Sequence, residues 1–324
     1  MEILQKCLEV AMETKIALTR SKRERLWTEF KKQKWLQLMV IPGIIFILIF
    51  NYIPMYGVII AFKDFNFTEG IMGSPWVGFK HFKDFLLTPN LGNIFYNTFG
   101  ITITRLVVGF PMPIIFALLL NELTNAPFKK IIQSISYLPH FISFVVIAGM
   151  MSKLLATNGV VNDFLVATHL ADEPIQFLGE KDYFWGLIVG SGIWQGVGYS
   201  SILYLAAITG VDPALYEAAT IDGAGRFKKW IYVTIPSIMP IVVIQLIMSV
   251  NGILSAGMDN ILLLQNSQVM ERAEVLDTYI YKVGLQDGRF SFSAAVGLFT
   301  TAIRISLVMF TNYVSKRVTE YGLW

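Results

Sequence analysis

Six long apolar runs set the frame: 35–62, 94–120, 131–155, 184–208, 237–263 and 291–313 are each long enough to cross roughly 30 Å of hydrocarbon. Inside lipid the backbone has no water to bond to, so such runs must pair their own N–H and C=O groups as helices. Composition points the same way. The chain is 54% hydrophobic and only 15% charged, whereas soluble proteins carry about a quarter charged residues. The predicted fold is therefore all-α, a polytopic membrane bundle of six transmembrane helices. It divides into a basic N-terminal segment (1–34), a transmembrane domain (35–313) and a short tail (314–324). The N-terminal segment suits an amphipathic helix on the membrane surface. The first apolar run begins near Trp35 with no small-residue cleavage site after it, so no cleavable signal peptide is expected.

Charge fixes the expected orientation. The N-terminal segment, the connection 121–130, the loop 209–236 and the tail together carry twice the Lys and Arg of the opposite set of connections. The positive-inside rule places the richer set, and both termini, in the cytoplasm. The opposite side includes an acidic loop with Asp163, Asp172, Glu173, Glu180 and Asp182.

The loop 209–236 is the one polar, self-capped stretch between two apolar runs. Asp212 and Pro213 read as an N-cap and a proline at the first helical position. A short alanine-rich helix follows and stops at Asp222 and Gly223, where glycine accepts the left-handed conformation of a helix end. A second short helix restarts after Gly225, and Pro236 marks the start of the next apolar run. The expected object is a small helical knob at the membrane surface.

Several chemistries are absent from the sequence. It contains no GxxxxGK[ST] phosphate loop and no HExxH or GxSxG constellation. Cys7 stands alone, and His81, His140 and His169 lack metal-ligand spacing, reading as ordinary loop or core histidines. A passive pathway driven by a partner fits, without enzymatic chemistry or nucleic-acid binding.

Glu217-Ala218-Ala219, Gly223 four residues on, and Val233-Thr234-Ile235-Pro236 resemble the EAA loop of type I ABC-importer permease subunits, with Ile235 where that family has leucine. The segments Asn51–Gly57, Ala61–Phe65 and Gly73–Phe79 are similar to permeases of a subgroup importing oligosaccharides, many of them acidic and polysaccharide-derived, of which an alginate-type importer is the specific expectation. The resemblance implies a multi-pass subunit of the cell inner membrane that works with a second permease, two cytosolic ATPases and a periplasmic or extracellular solute-binding protein. ATP and magnesium would sit on the ATPases, with no cofactor in this chain. It also assigns Glu217, Ala218, Ala219, Asp222, Gly223 and Ala224 to a coupling helix that seats in a groove of the ATPase. Glu217 has a simpler reading, a first-turn acid favoured by the helix dipole.

For the solute, polar residues inside spans are the candidates, because each is costly against lipid. Trp194, Gly196 and Tyr199 in the fourth run, and Asp259 and Asn260 in the fifth, supply the aromatic, amide and open surfaces that sugars use. A maltose-type permease resembled by the chain points to Gly196, Tyr199 and Asn260. Arg105 and Arg304 lie near mid-membrane by the 1.5 Å rise per residue, and suggest a positive zone suited to an anionic sugar. A carbonyl, a partner's carboxylate or interface packing would equally offset each arginine. A self-sufficient secondary transporter or channel is the competing class, but the runs carry few acids for ion coupling and no evident inverted repeat.

Overall fold

The computed structural model of the protein describes residues 32–323. The basic N-terminal segment up to residue 31 lies outside them. Among the described residues there is no strand, only an isolated bridge between Lys63 and Trp76. The chain forms two compact units, one reaching Ile59 and one from Ile60 onward. The first contains most of α1 (Lys34–Phe62), whose opening stretch Lys34–Ile47 buries no side chain. An apolar helix of this kind needs lipid or another chain to cover it.

The second unit holds α2 (Leu91–Glu122), then α3 (Ala126–Phe141) and α4 (Phe144–Leu154), bent by 99° to one another. Next come α5 (Lys181–Thr209), α6 (Pro213–Ile221), α7 (Arg226–Asn251), α8 (Met258–Leu264) and α9 (Phe290–Thr319). α1, α2, α7 and α9 are long and apolar enough to cross a membrane, as is the α3–α4 pair if it counts as one span. α5 has the length, but its Gly, Ser, Gln and aromatic residues dilute its hydropathy.

Three prolines leave a common mark. π turns at Leu48–Tyr52, Arg105–Gly109 and Trp230–Thr234 lie immediately before Pro54, Pro111 and Pro236. A proline has no N–H and its ring collides with the carbonyl four residues back. In each case that carbonyl falls inside the π turn, where the wider winding moves it aside. Phe110 N–H accordingly donates five residues back, to the Arg105 carbonyl at 3.1 Å.

Two of the expected spans are not straight. The run 131–155 breaks at Ile142 and Ser143: the first helix tightens into a 3₁₀ turn at Leu138–Phe141, which holds Pro139, and stops, and the Ser143 hydroxyl caps the next by accepting from Val145 N–H at 3.3 Å. The run 237–263 ends at Asn251. Gly252–Gly257 interrupts the helix, with Gly257 at φ 88°, and α8 follows it. The connection 264–290 buries Val269, Ala273, Val275, Leu276 and Thr278 completely.

α5 is the centre of the bundle, touching α2, α3 and α7. Two glycines allow the closest approaches. A Cβ at Gly100 of α2 would fall on the Trp185 ring, and one at Gly198 of α5 would fall on the backbone carbonyl of Ser136 in α3. Gly196, two residues away, has nothing within 4 Å of its Cβ position. Gly198→Leu is therefore expected to separate α3 from α5 and lower stability by at least about 1–3 kcal/mol. Gly196→Ala should be neutral or stabilising by up to about 1 kcal/mol through helix propensity. Thermal unfolding of the two variants in detergent checks this; equal melting temperatures would contradict the close packing.

Candidate functional site: a lateral cleft and a helical knob

The knob forms as its sequence dictates. The Asp212 carboxylate accepts from Ala214 N–H at 2.9 Å, capping α6. At the other end Gly223 sits at φ 72°. Ala224 N–H reaches the Ala219 carbonyl at 2.8 Å and Gly223 N–H the Thr220 carbonyl at 3.0 Å, the paired bonds of a Schellman stop. Among the described residues, chain neighbours apart, nothing lies within 4 Å of a Cβ placed at Gly223, so the need for glycine comes from its backbone angle. Glu217 is the fifth residue of α6 and lies beyond its first turn, which removes the helix-dipole explanation. Its side chain is exposed, as is Ala218, while Ala219 and Ala224 are half-buried.

The expected second short helix is not separate: Arg226 begins α7, which runs through its π turn to Asn251 without a break. α6 is fastened to it by the Tyr216 and Thr234 hydroxyls at 3.0 Å and by Lys229 Nζ donating to Thr220 Oγ1 at 2.8 Å.

The second feature is a cleft of about 860 Å³ walled by α2, α5, α7 and α8. Along each long helix it lies between two apolar clusters. One includes Ile101, Ile188, Val189, Ala256 and Ile261; the other includes Ala117, Leu118, Tyr204, Ile208 and Ile238. Of the residues expected in the pathway, Arg105, Gly196, Tyr199 and Asn260 line this cleft; Trp194, Asp259 and Arg304 do not. Trp194 turns outward and is 46% exposed. Asp259 sits in the first turn of α8, where the helix dipole favours an acid.

The two intramembrane arginines share one task. Arg105 donates to the Ala256 carbonyl at 2.9 Å, and Arg304 to the Leu254 carbonyl at 3.1 Å. Both carbonyls belong to the turn after α7. Arg304 also pairs with Asp277 Oδ1 at 3.4 Å, while Asp277 Oδ2 accepts from the Ser255 hydroxyl at 2.9 Å. The carboxylate that neutralises Arg304 thus comes from the folded connection 264–290 of the same chain. Among the described residues Arg105 has no such partner, and it is the one Lys, Arg, Asp or Glu in the cleft lining. The remaining polar lining comprises amides and hydroxyls, among them Gln195, Gln245, Ser249 and Asn260.

His140 belongs with this site although spacing alone gave it no role. Its ring stacks on Tyr199 with centroids 3.9 Å apart and planes 2° from parallel. Gln195 Nε2 donates to the Ile142 carbonyl at 2.8 Å, so α5 holds the bend of the α3–α4 pair directly. Outside the spans, Lys181 donates to Glu271 at 2.8 Å and holds that carboxyl below its usual range. A hydrogen bond with Tyr96 raises Arg272.

A membrane bundle with a cleft that carries several polar groups and with a capped knob fits a solute-pathway subunit. The chain belongs to the family of binding-protein-dependent transport system inner membrane components, which matches residues 109–320. It is thus an integral, multi-pass ABC permease component, and in such systems ATP hydrolysis resides in a separate subunit. It is 41% identical over 310 residues to the polygalacturonan/rhamnogalacturonan transport system permease protein YteP of Bacillus subtilis, covering 95% of this chain and 96% of that one. Protein LplB of the same organism is 39% identical over 308 residues, covering 95% and 96%. A chain in the crystal structure of a bacterial alginate ABC transporter, in complex with an alginate-pentasaccharide-bound periplasmic protein, superposes with a TM-score of 0.84 at 37% identity, covering 92% of this chain and all of that one.

The Arg304 pairing carries a direct expectation. Asp277→Ala leaves the guanidinium with a carbonyl alone and should cost about 1–3 kcal/mol. Asp259→Ala, at an exposed position, should stay within about 0.5 kcal/mol of the parent. Thermal unfolding in detergent distinguishes them, and equal effects would remove the special standing of Asp277.

Proposed function

We propose that this chain is one of the two permeases of an ATP-driven importer for acidic oligosaccharides of the uronate type. The observation that carries the reading is the cleft itself: aromatic, amide and hydroxyl groups around one guanidinium without a paired carboxylate. A sugar uses the first three, and a uronate carboxylate uses the fourth through a charge-assisted bond. A relative named for polygalacturonan/rhamnogalacturonan transport, and a structural neighbour from an alginate transporter, support this substrate class.

In this reading α5 and the α3–α4 pair complete six spans in the inner membrane, with both termini and the knob on the cytoplasmic side. A solute-binding protein delivers the sugar from outside. Two ATPases bind ATP and magnesium, and one of them receives α6 through Glu217, Ala218 and the Gly223 turn. A second permease completes the pathway beside the cleft.

Three outcomes are expected. The chain alone in liposomes should neither hydrolyse ATP nor move sugar, and uptake by the lone chain down a gradient would sink the importer reading. In the reconstituted complex, Gly223→Leu should preserve insertion but abolish stimulation of ATP hydrolysis by loaded binding protein, since leucine resists the left-handed angle and adds bulk at the contact. Normal stimulation would show that the coupling element lies elsewhere. Arg105→Gln should reduce uptake of a uronate oligomer about tenfold or more, the loss of one charged hydrogen bond, and that of an equally long neutral oligosaccharide much less. An equal loss for both sugars would assign Arg105 to holding the Ala256 carbonyl alone.

A further inference from the structure

Glu122 ends α2, and an acid at a helix C-terminus is disfavoured by the exposed carbonyls of the last turn. Its position therefore calls for compensation, and the structure supplies it from α7. Glu122 Oε1 accepts from Trp230 Nε1 at 2.9 Å, and Oε2 faces Arg226 Nε at 3.4 Å. These partners are unequal. The Arg226 side chain is 80% exposed, so solvent screens that ion pair. Trp230 is half-buried against the cluster of Ala117, Leu118, Tyr204, Ile208 and Ile238, and its bond to the carboxylate is charge-assisted.

Trp230 lies in the opening turns of the helix to which α6 is fastened through Tyr216–Thr234 and Thr220–Lys229. Midway along α2, Arg105 holds the Ala256 carbonyl just past the far end of α7. On α2 the two ties are separated by a rise of about 25 Å, and the cleft lies between them. Helices joined at both heights move as one frame. A push on α6 then displaces both walls of the cleft together; with the lower tie cut, α7 moves and α2 stays.

We propose that Glu122 is a positioning residue for transport. By holding Trp230 it makes α2 follow the knob, and so turns displacement of α6 into displacement of the cleft. The inference rests on the permease reading, and the test separates the two. In the complex reconstituted with its partner permease, ATPases, binding protein and a uronate oligomer, ATP hydrolysed per sugar imported is measured. The parent, Glu122→Ala, Glu122→Gln, Trp230→Phe and Arg226→Gln are compared at matched amounts of assembled complex. Glu122→Ala and Trp230→Phe are expected to raise ATP per sugar at least fivefold, while hydrolysis stimulated by loaded binding protein stays within twofold of the parent. Glu122→Gln keeps an acceptor for the indole N–H and should retain most of the coupling, as should Arg226→Gln. If hydrolysis and uptake fall in proportion, or if the ratio is unchanged in Glu122→Ala, Glu122 is merely structural and the inference is overturned. A Gln variant as uncoupled as Ala also overturns it, because the hydrogen bond would then not be the carrier. Absence of coupled uptake in the parent would instead count against the permease reading.

Discussion

A guanidinium among membrane helices must find acceptors, and a turn buried inside a protein must find donors for its carbonyls. Here the two requirements meet. α7 stops at Asn251, and the turn after it presents the Leu254 and Ala256 carbonyls to Arg304 and Arg105. Asp277 completes the set by pairing with Arg304 and accepting from Ser255. With those carbonyls bonded the chain can re-enter as α8, which carries Asn260 to the cleft. The same turn places Ser255 in the lining. The architecture on this side of the bundle depends on that mutual neutralisation.

Backbone irregularity elsewhere follows the same logic. At Pro54, Pro111 and Pro236 a π turn lies ahead of the proline, and the turn at Arg105–Gly109 lies where α2 faces the cleft. Gly198 lets α3 approach α5 to backbone contact, while Gly196 leaves open space. One helix thereby serves as a packing surface on one side and a cavity wall on the other. Its polar content makes it the least lipid-like of the long helices, and its neighbours within the bundle compensate.

The helical knob is mounted on α7, which also walls the cleft. Hydroxyl and amine contacts lock α6 to the first turns of α7, and Glu122 locks those turns to α2. The exposed surface of α6, with Glu217 and Ala218, is left free of intrachain bonds among the described residues. A rigidly mounted element with an uncommitted face suits transmission of force better than a flexible loop would.

Much of this was legible in the residues. Long apolar runs force helices, Asp212-Pro213 and Asp222-Gly223 force the limits of α6, and the spacing around Glu217 marks its family, because each of these is settled by local chemistry. What the sequence could not decide was where a run bends and which distant groups meet. Pro139 with Ser143, and Gly252 with Gly257, are each tolerable within a straight span, and only their neighbours make them breaks. Arg304 carried the same signature as Arg105, yet one is neutralised by Asp277 and the other faces the cleft. His140 and Glu122 gave no signal at all, since a stacked imidazole and an accepting carboxylate acquire meaning only from Tyr199 and Trp230 across the fold. Hydrophobic length determines that a segment becomes a helix, whereas pairing of buried polar groups is a property of three-dimensional proximity, which tertiary structure alone decides.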